Sequence, residues 1–172
     1  SDVTIDLRQG AHSFLGKKSN YITDANQLTI SHGSDIENVE TGSGNSTIIG
    51  NSLDNTIVTG SGNDLIYAGA GADSVNSGTG KDQIDLSEEI QARDTVVLGS
   101  IPIDLEFISI YGFVQGPLGD ILDLSAVLVS VPTLFPLVIS ENSPSANFSG
   151  GVLRISGNDL STALGISEAF EV

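Results

Sequence analysis

The chain has no cysteine. Disulfides and thiolate metal centres are therefore excluded, and any stability needed in an oxidising setting has another source. Basic residues are scarce. Only 6 Lys and Arg stand against 22 Asp and Glu, a formal net charge of −16. Phosphate backbones and anionic membrane surfaces are recognised by Lys and Arg patches, so nucleic acid and acidic lipid are excluded as partners. Methionine and tryptophan are also absent. The missing Met and the Ser1-Asp2-Val3 start point to a segment of a longer chain, with no signal-peptide pattern visible. The longest apolar stretch, Ala126 to Ile139, is broken by Pro132 and Pro136 and is too short for a transmembrane segment.

What is present answers these gaps. The chain is 39% hydrophobic, enough to bury a core, so the acidic excess reads as a demand for multivalent counter-cations rather than as disorder. It carries 20 glycines, many of them in a repeat. Aligned in nines from Thr41, the blocks are TGSGNSTII, GNSLDNTIV, TGSGNDLIY, AGAGADSVN and SGTGKDQID, ending at Asp85 without a gap. Position two holds Gly42, Asn51, Gly60, Gly69 and Gly78. Position four holds Gly44, Leu53, Gly62, Gly71 and Gly80. Position six holds Ser46, Asn55, Asp64, Asp73 and Asp82. Position eight holds Ile48, Ile57, Ile66, Val75 and Ile84. Upstream, HGSDIENVE keeps the phase with Gly33, Glu37 and Val39, and Ile30 falls at position eight one block earlier.

Each block has one physical reading. The glycines permit a tight turn with positive φ. The last three residues form a short strand whose middle side chain points inward, as period two requires. Two blocks make one coil of a parallel roll, and the position-eight aliphatics stack into a thin core between two sheets. The expected fold is all-β: a right-handed parallel β-roll over residues 32–85, an N-terminal strand flank over 1–31, and a C-terminal antiparallel β-rich cap over 86–172. Strands are predicted over 95–98, 105–114, 134–139 and 152–155, and short helical turns near 88–92 and 161–164.

The turns carry the chemistry. A hard cation takes six to eight oxygens, and calcium accepts both carboxylates and carbonyls. One Gly-rich turn cannot fill that sphere, but two stacked turns can. Turns alternate sides of the roll, so partners are two blocks apart. That pairing ranks Asp64 with Asp82 first. Asn55 with Asp73 and Ser46 with Asp64 follow, each with one carboxylate. Glu37 with Asn55, assisted by Asp35, comes last and is weakest or empty.

Blocks such as TGSGNDLIY and AGAGADSVN resemble the RTX (repeats-in-toxin) nonapeptide. The stretch TIDLRQGAHSFLG with NQLTISHGSDIENVETGSGN is similar to the approach to the C-terminal β-roll of serralysin-type secreted metalloproteases. DTVVLGS and ISIYGFVQGPLGDILDLSAVL resemble the segment that follows the repeats in type I-secreted proteins. Ser167 to Val172 resembles the acidic-hydrophobic end of their secretion signals. The resemblance implies several Ca²⁺ ions held by Gly60, Gly62, Asp64, Gly69, Gly71, Asp73, Gly78, Gly80 and Asp82, with Asp35 and Glu37 at the leading end. This sequence departs from the pattern at Ser46, Asn51, Leu53 and Asn55. The resemblance further implies a secreted or cell-surface protein whose partners are calcium ions, other domains of its parent chain and the type I secretion machinery.

Other constellations are weaker. His12 and His32 are read as solvated side chains, because neither Cys nor a His-Glu-x-x-His pattern supports a zinc site. Asp120, Asp123 and Asp159 are read as turn and strand-end residues rather than an extra calcium site. No nucleophile elbow supports a catalytic triad, so the chain is expected to be a non-catalytic module. The sequon at Asn45 lies inside a repeat turn. Ile49, Leu65 and Tyr67 make an outward apolar patch, read as covered by the flank or the C-terminal half rather than as a ligand surface. The function expected is calcium-dependent folding that stabilises a larger extracellular protein or assists its secretion. The alternative is a carbohydrate-binding or adhesive module of the same repeat class.

Overall fold

The computed structural model describes residues 1–17, 21, 25–98, 108–114 and 118–123, with the backbone of 152–154. The predicted strand over 134–139, the helical turn over 161–164, Asp159 and the final residues 167–172 lie outside the described residues. Every described element is a strand. The repeat strands are β4 (Asn38–Glu40), β5 (Ser46–Ile49), β6 (Thr56–Val58), β7 (Leu65–Tyr67), β8 (Ser74–Asn76) and β9 (Gln83–Asp85). Each ends one nine-residue block, where the β-branched and aliphatic residues are concentrated. Before them come β1 (Val3–Asp6), β2 (His12–Leu15) and β3 (Gln27–Thr29). After them come β10 (Thr95–Val97), β11 (Ser109–Tyr111), β12 (Ile121–Asp123) and β13 (Val152–Arg154).

Successive repeat strands alternate between two sheets. The described strands run β11-β9-β7-β5-β1-β2-β3 in one sheet and β13-β12-β10-β8-β6-β4 in the other. Pairing within the repeats is parallel and joins residues two blocks apart, such as Ile48 with Ile66 and Ile57 with Val75. This is the two-sheet roll the repeat predicts. Ile48, Ile57, Ile66, Val75 and Ile84 have no solvent exposure and form the core between the sheets. The inward alternation also runs one residue past each strand. Thr59, Ala68, Ser77 and Leu86, all at position one, are buried at the corners. Small residues there let the chain turn sharply into the next Gly-rich segment.

Three expectations change. The antiparallel pairing foreseen after residue 85 is not how the described strands join. β10 to β13 pair in parallel and carry both sheets onward. The half-repeat Asp-x-aliphatic-x persists at Asp94–Val97 and Asp120–Asp123, so the strand phase survives while the intervening turns lengthen. Antiparallel pairs occur in the flank instead, between β1 and β2 and between β2 and β3.

No helical turn forms at 88–92. The Ala92 N–H, which a helix would direct to the Glu88 backbone carbonyl, donates to Glu88 Oε1 instead. Ile30, although in phase, does not continue the core stripe. It follows β3, which pairs antiparallel with β2. The place beside β5 is taken by β1, with Ile5 opposite Ile48.

Candidate metal centre

The strand ends set the turn residues, and the turns stack in register. Asp64, Asp73 and Asp82 directly precede β7, β8 and β9 and are 2%, 2% and 1% exposed. Each carboxylate reaches back along the stack to the turn 18 residues earlier. Asp64 Oδ1 accepts the Ser46 N–H at 2.7 Å, Asp73 Oδ1 the Asn55 N–H at 2.7 Å, and Asp82 Oδ1 the Asp64 N–H at 3.0 Å. The second carboxylate oxygens of Asp64 and Asp73 are buried and accept no hydrogen bond. A buried charged oxygen without a donor is costly unless a counter-charge meets it.

The backbone beside these oxygens is packed at glycine distance. A Cβ on Gly78 would lie 1.9 Å from the Gly60 carbonyl oxygen, and one on Gly60 2.5 Å from that of Gly42. Only glycine lets the carbonyl edges of stacked turns come this close. The donors offered are oxygens, from carboxylates and carbonyls. No group of three or more His, Cys, Asp or Glu side chains is placed to hold a metal among the described residues. An ion here would draw one or two carboxylates and complete its sphere from the backbone. That donor set fits a hard cation such as Ca²⁺ and disfavours zinc.

The leading tier is built differently. Asn51 Nδ2 donates to the Ile36 carbonyl at 2.7 Å and to that of Leu7 at 3.3 Å. Asn55 Nδ2 donates to Asn51 Oδ1 at 3.1 Å and at 3.5 Å to the Ile36 and Glu37 carbonyls. Asn55 Oδ1 accepts the Asn51 N–H at 2.9 Å within its own turn. Amide nitrogens thus occupy carbonyls that a cation would otherwise take. Asp35 is exposed and accepts from Gln9 Nε2 at 3.0 Å, and Glu37 is exposed as well.

Sequence reasoning missed part of the ladder. Asp94 Oδ1 accepts the Asp73 N–H at 2.8 Å, and Asp120 Oδ1 accepts the Asp94 N–H at 2.9 Å. These rungs are 21 and 26 residues long, so a search in steps of nine passes over them. The Asp-x-aliphatic-x half-repeat was the available signal. Asp120 does also close a turn, as expected of it, because its Oδ2 accepts the Val114 N–H at 2.7 Å. A second, outer ladder runs through position five. Asp2 Oδ1 accepts from Asn45, Asn45 Oδ1 from Asn63 and Asn63 Oδ1 from Lys81, each through the backbone N–H.

Burial pushes Asp73 up to about 7, against a hydrogen bond from the Asn55 N–H, with the charges of Asp94, Glu88 and Asp54 adding to the rise. Burial likewise lifts Asp94 to about 7, aided by Asp120 and Glu88. Burial also raises Asp120, partly countered by the Val114 and Asp94 N–H groups. A carboxylate raised in the fold above its unfolded value of about 3.9 binds protons more tightly when folded. Its stabilising contribution is full below the unfolded value and is lost as pH rises through about 7. The metal-free protein is therefore expected to melt at a higher temperature at pH 5 than at pH 8. Equal or reversed melting temperatures in chelator would contradict this placement of Asp73 and Asp94.

The patch of Ile49 and Tyr67 borders an open groove of about 520 Å³ with Arg8, Gln9, Asp35 and Leu53. Tyr67 is 42% exposed there, so the described flank rims the patch without covering that ring. Arg8 is held by Asp6, with Nη2 to Oδ2 at 2.6 Å. Residues 49–84 match the family profile of the RTX calcium-binding nonapeptide repeat, in four copies. No curated protein matches the chain.

Proposed function

Because residues 49–84 are RTX calcium-binding repeats, which take Ca²⁺ at several sites, we propose that the chain is a non-catalytic module that folds on binding calcium. In this reading Asp64, Asp73 and Asp82 supply the carboxylates. Gly60, Gly62, Gly69, Gly71, Gly78 and Gly80 bring the carbonyls within reach. The Asp64–Asp82 tier, with two complete turns, binds best. Asn51 and Asn55 close the leading tier without metal, leaving Asp35 and Glu37 at its solvated rim. The observation that carries the reading is the pair of buried Asp64 and Asp73 oxygens with no hydrogen-bond donor.

The energetics follow from that observation. Without cations, the stacked carboxylates repel and the one-residue-thick core offsets little chain entropy. Ions that bind only the folded state shift the equilibrium by mass action. Extracellular modules bind calcium at about 10⁻⁴ to 10⁻³ M, above cytosolic levels. The chain would then stay open inside the producing cell and fold outside it, where it stabilises a larger secreted protein. Circular dichroism in excess chelator is expected to show mostly unfolded chain, and millimolar calcium is expected to restore the β-signal. The same β-signal in both conditions would sink the proposal.

A further inference from the structure

The tier after the last repeat does not follow the nine-residue pattern, yet its rungs are kept. Within the repeats, the position-four N–H donates to the position-three carbonyl of the next turn on that side. Gly44 donates to the Ser61 carbonyl at 2.7 Å and Gly62 to that of Thr79 at 3.0 Å. Gly71 is the next position-four glycine on the opposite side. Continued phase would pair its N–H with the carbonyl of residue 88. Instead it donates to the Glu88 carboxylate, at 3.3 Å from Oε2. The other oxygen of that carboxylate accepts from Ala92, which folds the loop onto the turn. A neutral carbonyl has been exchanged for a charged group at a conserved place in the stack.

The acidic residue of this tier has moved as well. Continued phase would place it at residue 91, which is an exposed Gln. Asp94 takes the rung instead, 2% exposed, after a loop with three extra residues, and it accepts the Asp73 N–H across a separation of 21. Asp73 lies between two unequal neighbours. On one side the 50–55 turn offers little, since Asn55 Oδ1 is engaged with Asn51 and Leu53 replaces a glycine. On the other side stand Glu88 and Asp94, both close enough to act on Asp73 electrostatically. The nearest Arg of the loop, Arg93, directs its Nε to the Gly119 carbonyl at 3.1 Å. The buried second oxygen of Asp73, with no hydrogen bond, thus belongs to a tier rich in carboxylate.

We propose that the loop 86–94 and the turn 68–73 form a divalent-cation site of their own, with Asp73 and Glu88 as its carboxylate ligands. Backbone oxygens of the Gly69–Gly71 turn complete it, and Asp94 positions Asp73 through the rung between them. The ligand is a hard cation, calcium in this setting. The inference rests on the calcium reading of the repeats but adds a site that extends beyond the 49–84 match, through a residue no repeat supplies.

The test counts ions on the full chain. Native mass spectrometry in calcium compares the parent with Glu88→Gln and with Asp64→Asn. The Gln amide oxygen still accepts the Gly71 N–H, so Glu88→Gln is expected to keep the calcium-loaded circular dichroism signal and lose one bound ion. Asp64→Asn is expected to lose ions while keeping the one at Glu88. A parent that binds no calcium overturns the calcium reading itself. A Glu88→Gln chain that binds as many ions as the parent, over the same calcium range, overturns only this site. Calcium anomalous scattering from crystals of the parent gives the same decision without a substitution. An ion touching the Glu88 carboxylate supports the site, and a Glu88 carboxylate without metal contact ends it.

Discussion

Replacing Asp64 with Asn is expected to remove most of the stabilisation that calcium confers, while leaving the metal-free chain no less stable than the parent. The two halves of this expectation have separate causes. Asp64 takes part in two stacked pairs, receiving the Ser46 N–H on one side and donating its own N–H to Asp82 on the other. A site saturated at about 100 times its dissociation constant contributes about 2.7 kcal/mol to the folded state. Weakening two such sites forfeits up to about 5 kcal/mol, a large share of the 5 to 15 kcal/mol typical of a domain.

In chelator the balance reverses. The Asn side chain keeps an acceptor for the Ser46 N–H and deletes a buried charge whose second oxygen has no donor. Thermal melts in calcium and in chelator therefore separate the two effects. Asn55→Ala is the contrast. It discards the amide bonds to Asn51, Ile36 and Glu37 and is expected to cost about 1 to 3 kcal/mol equally in both conditions. If Asp64→Asn gained as much from calcium as the parent, the stacked-pair scheme would be wrong.

Gly80→Ala is expected to be the most damaging of the glycine changes, and Gly42→Ala nearly silent. Gly80 has φ +137°, a conformation L side chains rarely adopt, and a Cβ there would sit 1.7 Å from the Gly62 carbonyl oxygen. That neighbour is backbone inside a parallel ladder and cannot rotate away. Conformational strain of about 1 to 3 kcal/mol adds to overpacking of about 1 to 3 kcal/mol. The same shift would separate the carbonyl edges that face an ion, so calcium affinity should fall with stability. Gly42 also occupies a repeat glycine position, but a Cβ there meets nothing within 4 Å. Urea unfolding at saturating calcium measures both. Comparable midpoints for the two variants would refute the close stacking of turns.

The nine-residue phase was enough to place the strands and the core. One inward aliphatic per block is a local property, and Ile48, Ile57, Ile66, Val75 and Ile84 all became fully buried. The carboxylates at position six were equally legible, since a residue directly before each strand must lie at the mouth of a turn. Local pattern says which way a side chain points. It does not say which strand lies beside it, because pairing depends on which hydrogen-bonding edges remain open elsewhere. Ile30 kept the phase and lost its place to Ile5, because β1 claimed the edge of β5. Asp94 and Asp120 lost the phase and kept their place, because the ladder requires a carboxylate at each strand start whatever the loop length.

The absence of cysteine set the terms at the outset, since it left cohesion to something other than disulfides. Charge and spacing by themselves determined that this something is a stack of acidic Gly-rich turns suited to calcium. Only the tertiary structure decided how those turns differ. Asn51 and Asn55 satisfy carbonyls of residues 7, 36 and 37, and Glu88 substitutes for a carbonyl opposite Gly71. Each of these contacts joins residues far apart in sequence, and a hydrogen bond is decided by where its partner comes to rest.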